Sequence, residues 1–163
     1  MLLRYIDGPE VRITPNDRIF VDIEFYHTGE IYKGLEVRRM FPISGGNKYL
    51  ALIDEDGNEQ AMIRSLDTLD EASRSVVENC LEEYYMIPRI LKFTKMTDKF
   101  KIWMWYAETD KGSVKFEIRN HITAVKVLYD NRVLIKDAND NRYEIPDYTK
   151  LDRKSRKMLL PKL

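Results

Sequence analysis

The chain has 163 residues, 33% of them charged and 44% hydrophobic, and its 27 basic and 27 acidic side chains cancel to a formal net charge of zero. This balance excludes a strongly charged disordered tail and removes the simplest argument for nucleic-acid binding, which is an overall basic domain. No apolar run approaches the roughly 18 residues of a membrane span, and the single Cys80 cannot form an internal disulfide, so we expect a cytoplasmic protein.

The first half of the sequence predicts about four antiparallel strands followed by a helix. Alternating apolar and polar residues, typical of strands with one buried face, predict strands at residues 18–25, 31–40, 49–54 and 60–63. Asp, Gly and Asn at 56–58 predict a tight hairpin turn between the last two strands. Apolar residues at helical spacing predict a helix over 67–86, which begins with capping aspartates and ends before Pro88.

The second half restarts after a joint at 86–89 and predicts similar elements. Its strands are predicted at residues 90–95, 101–106, 114–118, 123–129, 133–136 and 142–145. A short helix follows over about 149–160, with a narrow apolar edge and otherwise mainly basic side chains.

Blocks of sequence recur at nearly one spacing. Residues 69–74 and 151–156 are identical at four of six positions, with an offset of 82. Further upstream, the acidic turn at 54–58 aligns with 137–141 at an offset of 83, with Asp and Asn at the matching ends. Blocks in the same order at nearly one offset indicate an internal repeat, although turn and cap residues come from a small set and could match independently.

The repeat defines the predicted fold class. We predict an α+β fold of mainly antiparallel β-sheet, built from two similar halves at residues 1–86 and 87–163. In each half β-hairpins are closed by one helix, and we expect the halves to form one compact body.

No sequence motif predicts a catalytic, metal or cofactor site. The turn at 54–58 has its glycine at position four, whereas a calcium loop needs it at position six, so a hairpin turn is favoured. The loop at 44–48 lacks the Ser or Thr that would bind magnesium in a phosphate loop. Cys80 falls on an apolar helix stripe, and His27 and His121 supply no metal-ligand cluster. We predict a non-enzymatic protein, while the sequence alone leaves open a nucleophile pair of Cys80 and His121.

Charge is unevenly distributed along the chain. Residues 54–83 carry ten acidic and two basic side chains, a net charge of −8, whereas residues 149–163 carry six basic and one acidic, a net charge of +5. The last helix therefore predicts a partner-binding surface formed by Arg153, Lys154, Arg156 and Lys157. Its partner could be an acidic protein, an anionic membrane surface or RNA, and a solvated helix or one that meets the acidic first half is the alternative.

Two tryptophans form a candidate ligand-stacking surface. Alternation along the strand at 101–106 puts Trp103 and Trp105 on the same face, where they could stack on a ligand or on bases. The alternative, which we favour, is that this face is the core of the second sheet.

Several short motifs together carry a family resemblance. They are Arg-Met-Phe-Pro at 39–42, Leu-Ile-Asp-Glu-Asp-Gly at 52–57, Ile-Pro-Arg-Ile at 87–90, Glu-Thr-Asp-Lys-Gly at 108–112, and Asn-Arg-Tyr-Glu-Ile-Pro-Asp at 141–147 before the Leu-Asp-Arg-Lys-Ser-Arg block. In order and spacing they resemble the bacterial family catalogued as domain of unknown function 1854, over about residues 35–163. One departure is Asp140, where relatives usually have the turn glycine.

The resemblance implies an accessory role beside an ABC exporter. Members of that family occur fused to ABC transporter polypeptides or as small separate proteins near such transporters, some in cyanophycin-metabolism settings. No catalytic or binding residues are established for the family, so none are carried over. We therefore expect a non-enzymatic module that docks on or regulates an ABC transporter component, associated with the membrane through that transporter.

Other functions remain open from sequence. One alternative is a small-ligand sensor that uses a cleft between the halves. The other is an anionic-surface or nucleic-acid binder acting through the basic helix, with nucleic acid the less expected partner. Self-association into a homo-oligomer is also compatible with the charge distribution.

Overall fold

The computed structural model describes residues 4–163. The chain divides into two compact units, the first ending at Met86 and the second running from Ile87 to Leu163. Antiparallel β-sheet dominates and helices are few, which confirms the predicted fold class at that level.

The first unit is a six-stranded sheet covered by one helix. Its strands are β1 (Tyr5–Ile6), β2 (Val11–Asn16), β3 (Phe20–Phe25), β4 (Ile31–Arg39), β5 (Lys48–Ile53) and β6 (Glu59–Ser65). A 3-10 helix (Leu66–Thr68) leads to α1 (Glu71–Met86). The spatial order is β1-β6-β5-β4-β3-β2, and all neighbours are antiparallel except β1 and β6.

The core of the first unit lies between the sheet and α1. Every second residue of β3, namely Val21, Ile23 and Phe25, is buried, as the alternation predicts. From the helix, Val77 and Cys80 join the same apolar cluster. Most of the predicted apolar stripe is therefore on the side that α1 packs against the sheet, but Ala72 of that stripe is exposed and Ser73 is buried instead.

Two features of the first unit differ from the sequence prediction. Residues 18 and 19 precede β3, because Asp17 and Arg18 adopt the left-handed backbone region in the turn after β2. The predicted helix over 67–86 is interrupted: the Ser65 side chain accepts from the amide of Asp67 and caps the 3-10 helix, and α1 begins only at Glu71. Strands β1 and β2 were not predicted.

The second unit contains two three-stranded antiparallel sheets. Its strands are β7 (Ile90–Lys99), β8 (Ile102–Thr109), β9 (Gly112–Ile118), β10 (Val125–Val127), β11 (Val133–Lys136) and β12 (Arg142–Ile145), ordered β7-β8-β9 and β10-β11-β12. The helices are α2 (His121–Ala124) and α3 (Arg153–Leu159). Short 3-10 helices span Tyr129–Asn131, Tyr148–Lys150 and Leu160–Lys162.

Side-chain caps explain where the second unit departs from prediction. The strand predicted at 123–129 is replaced by α2 and the shorter β10, because the Asn120 side chain accepts from the amide of Ile122 and starts a helical turn. The helix predicted over 149–160 is split. Asp147 caps the 3-10 helix at Tyr148–Lys150, and Asp152 caps α3 separately.

Aromatic side chains form much of the second unit's core. The rings of Phe93 and Trp105 meet edge-on with their centroids 5.8 Å apart, and Phe116 stacks on Tyr143 at 4.3 Å. Contacts of this kind contribute beyond their apolar area because the ring edge and face carry opposite partial charges.

Candidate functional site

The basic surface predicted from sequence lies on α3, which is joined to β7 by the Ser155 side chain. Asp152 Oδ2 accepts from the amide of Ser155 at 3.1 Å, and Ser155 Oγ accepts from the amide of Phe93 on β7 at 2.8 Å. Ser155 and Leu159 are buried beneath the helix. The opposite side of α3 therefore faces outward.

This outward side, here called the basic face, consists of four exposed cations. They are Arg153, Lys154, Arg156 and Lys157. Within residues 4–163 none of the four forms an ion pair with a carboxylate. Because the charges are solvated and uncompensated, the basic face can attract an anionic partner.

Burial separates the two tryptophans of the predicted stacking surface. They share a face of β8, as alternation predicts, but Trp105 is 0% exposed and packs between Phe93 and Phe116. Trp103 keeps part of its surface, and Lys162 Nζ lies 3.6 Å from its ring centroid. Ligand stacking on Trp105 is therefore excluded in this fold, and only Trp103 retains an accessible ring.

The indole N–H of Trp105 is a further feature of this core. Trp105 Nε1 is buried and has no hydrogen-bond partner among the described residues. Leaving such a donor unpaired costs free energy. The packing of the indole ring against Phe93 and Phe116 must therefore outweigh this cost.

Cys80 is a core residue rather than a reactive thiol. It lies on the buried side of α1, and burial raises the pKa of its thiol to about 12. At neutral pH the sulfur is therefore protonated, whereas nucleophilic attack needs the thiolate. No group of three or more His, Cys, Asp or Glu side chains in the described part of the chain could hold a metal ion.

The acidic turn at 54–58 uses its own carboxylate to build the turn. Asp54 Oδ1 accepts from the amides of Asp56 and Asn58 at 3.0 and 2.9 Å. Gly57 supplies the left-handed residue with φ of +87°. The hairpin turn predicted here is present, and its aspartate oxygen is already engaged.

Sequence reasoning missed a groove on the first unit. A cavity of about 510 Å³ lies beside the C-terminal half of α1 and is lined by Arg39, Asn47, Glu78, Leu81, Glu82, Tyr85 and Met86. Neighbouring residues Phe41 and Ile43 are exposed. The Arg-Met-Phe-Pro motif at 39–42 was the available signal, because it places the apolar Phe41 in a loop, where its ring is half exposed although it meets Tyr49 edge-on at 5.7 Å.

None of the helices in the described residues is both long and apolar enough to cross a membrane.

The fold and these surfaces define a mainly antiparallel α+β protein that exposes a basic helix face. A family model, described as Domain of unknown function (DUF1854), matches residues 32–161, so the chain belongs to that family. The resemblance carried by the sequence motifs is thereby confirmed. No curated protein and no solved structure matches the chain.

Proposed function

We propose that the chain is a non-enzymatic accessory module of an ABC-transporter system, and that in the cytoplasm it docks on a transporter component through the basic face of α3. The observation that carries this proposal is the set of four exposed, unpaired cations. The transporter is the partner implied by the sequence resemblance. The matching surface on the transporter component would be acidic.

The arrangement of charges on α3 has an energetic cost within the chain itself. Arg153 and Lys157 are four residues apart, and Lys154 and Lys157 are three apart, so like charges face each other on one helix surface. Such pairs destabilise a helix by about 0.2–0.5 kcal/mol each. An anionic partner would relieve this repulsion, which favours a binding role for the cluster.

The proposal includes an internal duplication, with one helix closing each half. It is supported by matched contacts in the two units: Ser73 Oγ accepts from the amide of Ile13 at 3.0 Å, as Ser155 does from Phe93. In both cases the serine amide donates to an aspartate three residues earlier.

The acidic turns repeat in the same way. The amide of Asp54 donates to the carbonyl of Asn58, and that of Asp137 to Asn141, both at 2.9 Å. Under duplication α1 and α3 occupy equivalent places but carry opposite charge, so the basic face belongs to the second copy alone.

Co-purification with an ABC transporter of the same cell tests the docking proposal. We expect the wild-type chain to retain the transporter, and the double variant Arg156→Gln/Lys157→Gln to lose most of it. The matched control is Lys33→Gln/Lys48→Gln, which removes the same charge from exposed positions elsewhere. Nuclease treatment should leave the association unchanged, because RNA is not the proposed bridge.

Two results would refute docking through the basic face. One is the absence of any association between the wild-type chain and the transporter. The other is equal retention of the transporter by both double variants, which would show that the position of the charge does not matter.

A further inference from the structure

One end of the β7–β8–β9 sheet exposes large apolar side chains. The hairpin tip between β7 and β8 comprises Lys99–Ile102, in which Phe100 is 97% and Ile102 45% exposed. The register pairs Trp103 with Ile118, so β9 ends at the same end of the sheet. Shortly after β9, Ile122 in α2 is 77% exposed. The exposed apolar side chains of the hairpin tip, Phe100 and Ile102, therefore form a candidate interaction surface.

The geometry of the turn does not explain why position 100 is a phenylalanine. Phe100 and Lys101 form a two-residue hairpin loop, and both have positive φ, +55° and +64°. Such a loop is favoured by Asn-Gly, since bulky residues are strained in this backbone region. Phenylalanine therefore neither helps the turn nor packs in the core, and its exposed ring is free for an external contact.

Phe100 lies between two lysines in the sequence. Lys99 and Lys101 are both exposed on either side of it. Lys162, whose Nζ lies over the Trp103 ring, adds a third cation at this end. Asp98 is the exposed acidic neighbour on the hairpin. Apolar side chains beside lysines complement a surface whose outer layer is negatively charged and whose interior is apolar.

We propose that the hairpin tip Lys99–Ile102 docks into the interfacial region of an anionic lipid bilayer. Phe100 and Ile102 enter the boundary between headgroups and acyl chains, and Lys99 and Lys101 stay at the level of the anionic headgroups. Long lysine side chains suit this position because their alkyl stems tolerate apolar surroundings while the ammonium remains in water. This site goes beyond the docking proposed for α3, because it lies on another element and binds lipid.

Vesicle binding by the full chain is the direct test. We expect co-sedimentation with vesicles that contain phosphatidylserine and little with pure phosphatidylcholine, and we expect binding to weaken as salt is raised. Brominated lipids should quench Trp103, which adjoins the tip, while the buried Trp105 supplies a constant background. Equal binding to both kinds of vesicle, or none to either, would overturn the proposal.

The decisive variant is Phe100→Asn, because asparagine suits the left-handed turn and removes the ring. We expect vesicle affinity to fall about tenfold or more, with thermal stability unchanged or raised. Leu91→Ala is the matched control, since Leu91 is exposed near the opposite end of β7. This variant should bind vesicles as the wild type does. Wild-type affinity in Phe100→Asn would refute the tip as the contact.

Charge variants separate this site from the basic face. Lys99→Gln/Lys101→Gln should lower affinity about thirtyfold, at roughly 1 kcal/mol for each lysine near an anionic surface. The opposite result would overturn the proposal for the tip. If Arg156→Gln/Lys157→Gln loses vesicle binding while Lys99→Gln/Lys101→Gln binds as the wild type does, the lipid contact belongs to α3.

Discussion

Ser155 Oγ accepts a hydrogen bond from the backbone amide of Phe93 at 2.8 Å, although the two residues are 62 positions apart in the sequence. The pairing between β7 and β8 is irregular beside Phe93, so its amide is satisfied by the serine side chain. The hydroxyl also donates to Asp152, 2.5 Å away. One side chain thus joins the helix cap to a buried strand.

We predict that Ser155→Ala destabilises the chain by about 1–3 kcal/mol, because it leaves the buried amide of Phe93 without a partner. Ser73→Ala should cost a similar amount in the first unit, where Ser73 serves the amide of Ile13. Urea unfolding measures both values. The exposed Ser113 is the control site, and a Ser155→Ala variant as stable as Ser113→Ala would contradict the prediction.

Acid should weaken the α3 cap. The hydrogen bond from the Ser155 side chain, followed by that from its amide, lowers the pKa of Asp152 below its ordinary value of 3.8. A carboxyl with a depressed folded-state pKa contributes stability above its unfolded pKa and loses it as pH falls through the folded value. We therefore expect this contribution to be complete at neutral pH and to be lost in acid, as pH falls from 3.8 through the lower folded-state pKa.

Asp152→Asn isolates this effect, because asparagine still caps a helix but does not titrate in this range. Thermal unfolding as a function of pH should show a shallower acid loss for the variant than for the wild type. Identical pH profiles would show that the Asp152 carboxylate does not contribute.

A buried ion pair holds the second unit together. Arg132 Nη2 lies 3.1 Å from Glu144 Oε2, and Arg89 Nε approaches the other carboxylate oxygen at 3.9 Å. Removing Arg132 leaves the buried Glu144 carboxylate with the more distant Arg89 to balance its charge. We predict that Arg132→Met costs about 3–5 kcal/mol, measured by urea unfolding.

The matched comparison for Arg132→Met is the double variant with Glu144→Leu. Since both charges then disappear, the double variant should be destabilised by less than the sum of the two single changes. Strict additivity in this double-mutant cycle would contradict a coupled pair.

Asp140 occupies a turn position that suits glycine. Its φ is +63°, whereas the corresponding residue of the first acidic turn, Gly57, has +87°. A side chain in this region is strained, although aspartate tolerates it better than most residues. We predict that Asp140→Gly stabilises the chain by about 0.5 kcal/mol and that Gly57→Ala destabilises it by about 1 kcal/mol.

Thermal unfolding of the two turn variants measures both the predicted stabilisation and the predicted destabilisation. The exposed ion pair between Lys136 and Asp140 at 3.5 Å is lost in Asp140→Gly, but such pairs contribute little. A destabilised Asp140→Gly variant would show that the carboxylate matters more than the backbone.

Local features of the fold followed from the sequence alone. The alternation in β3, the buried side of α1 and the hairpin turn at 54–58 follow from residues close together in the chain. The family follows from the order and spacing of several short motifs along the chain. These features depend on side-chain period and on the backbone preferences of Asp, Asn and Gly, which neighbouring residues express without tertiary contacts.

Other features were decided by contacts between distant residues. The short β1 is a strand because it pairs with β6 in parallel, 57 positions along the chain from Tyr5 to Met62. Trp103 and Trp105 share a face and a residue type, yet only Trp105 has Phe93 and Phe116 packed around it. The period of the sequence determines which side of the sheet a residue faces. Packing across neighbouring strands determines whether the residue is buried at that position, and hence which side chains remain at the surface to bind a partner.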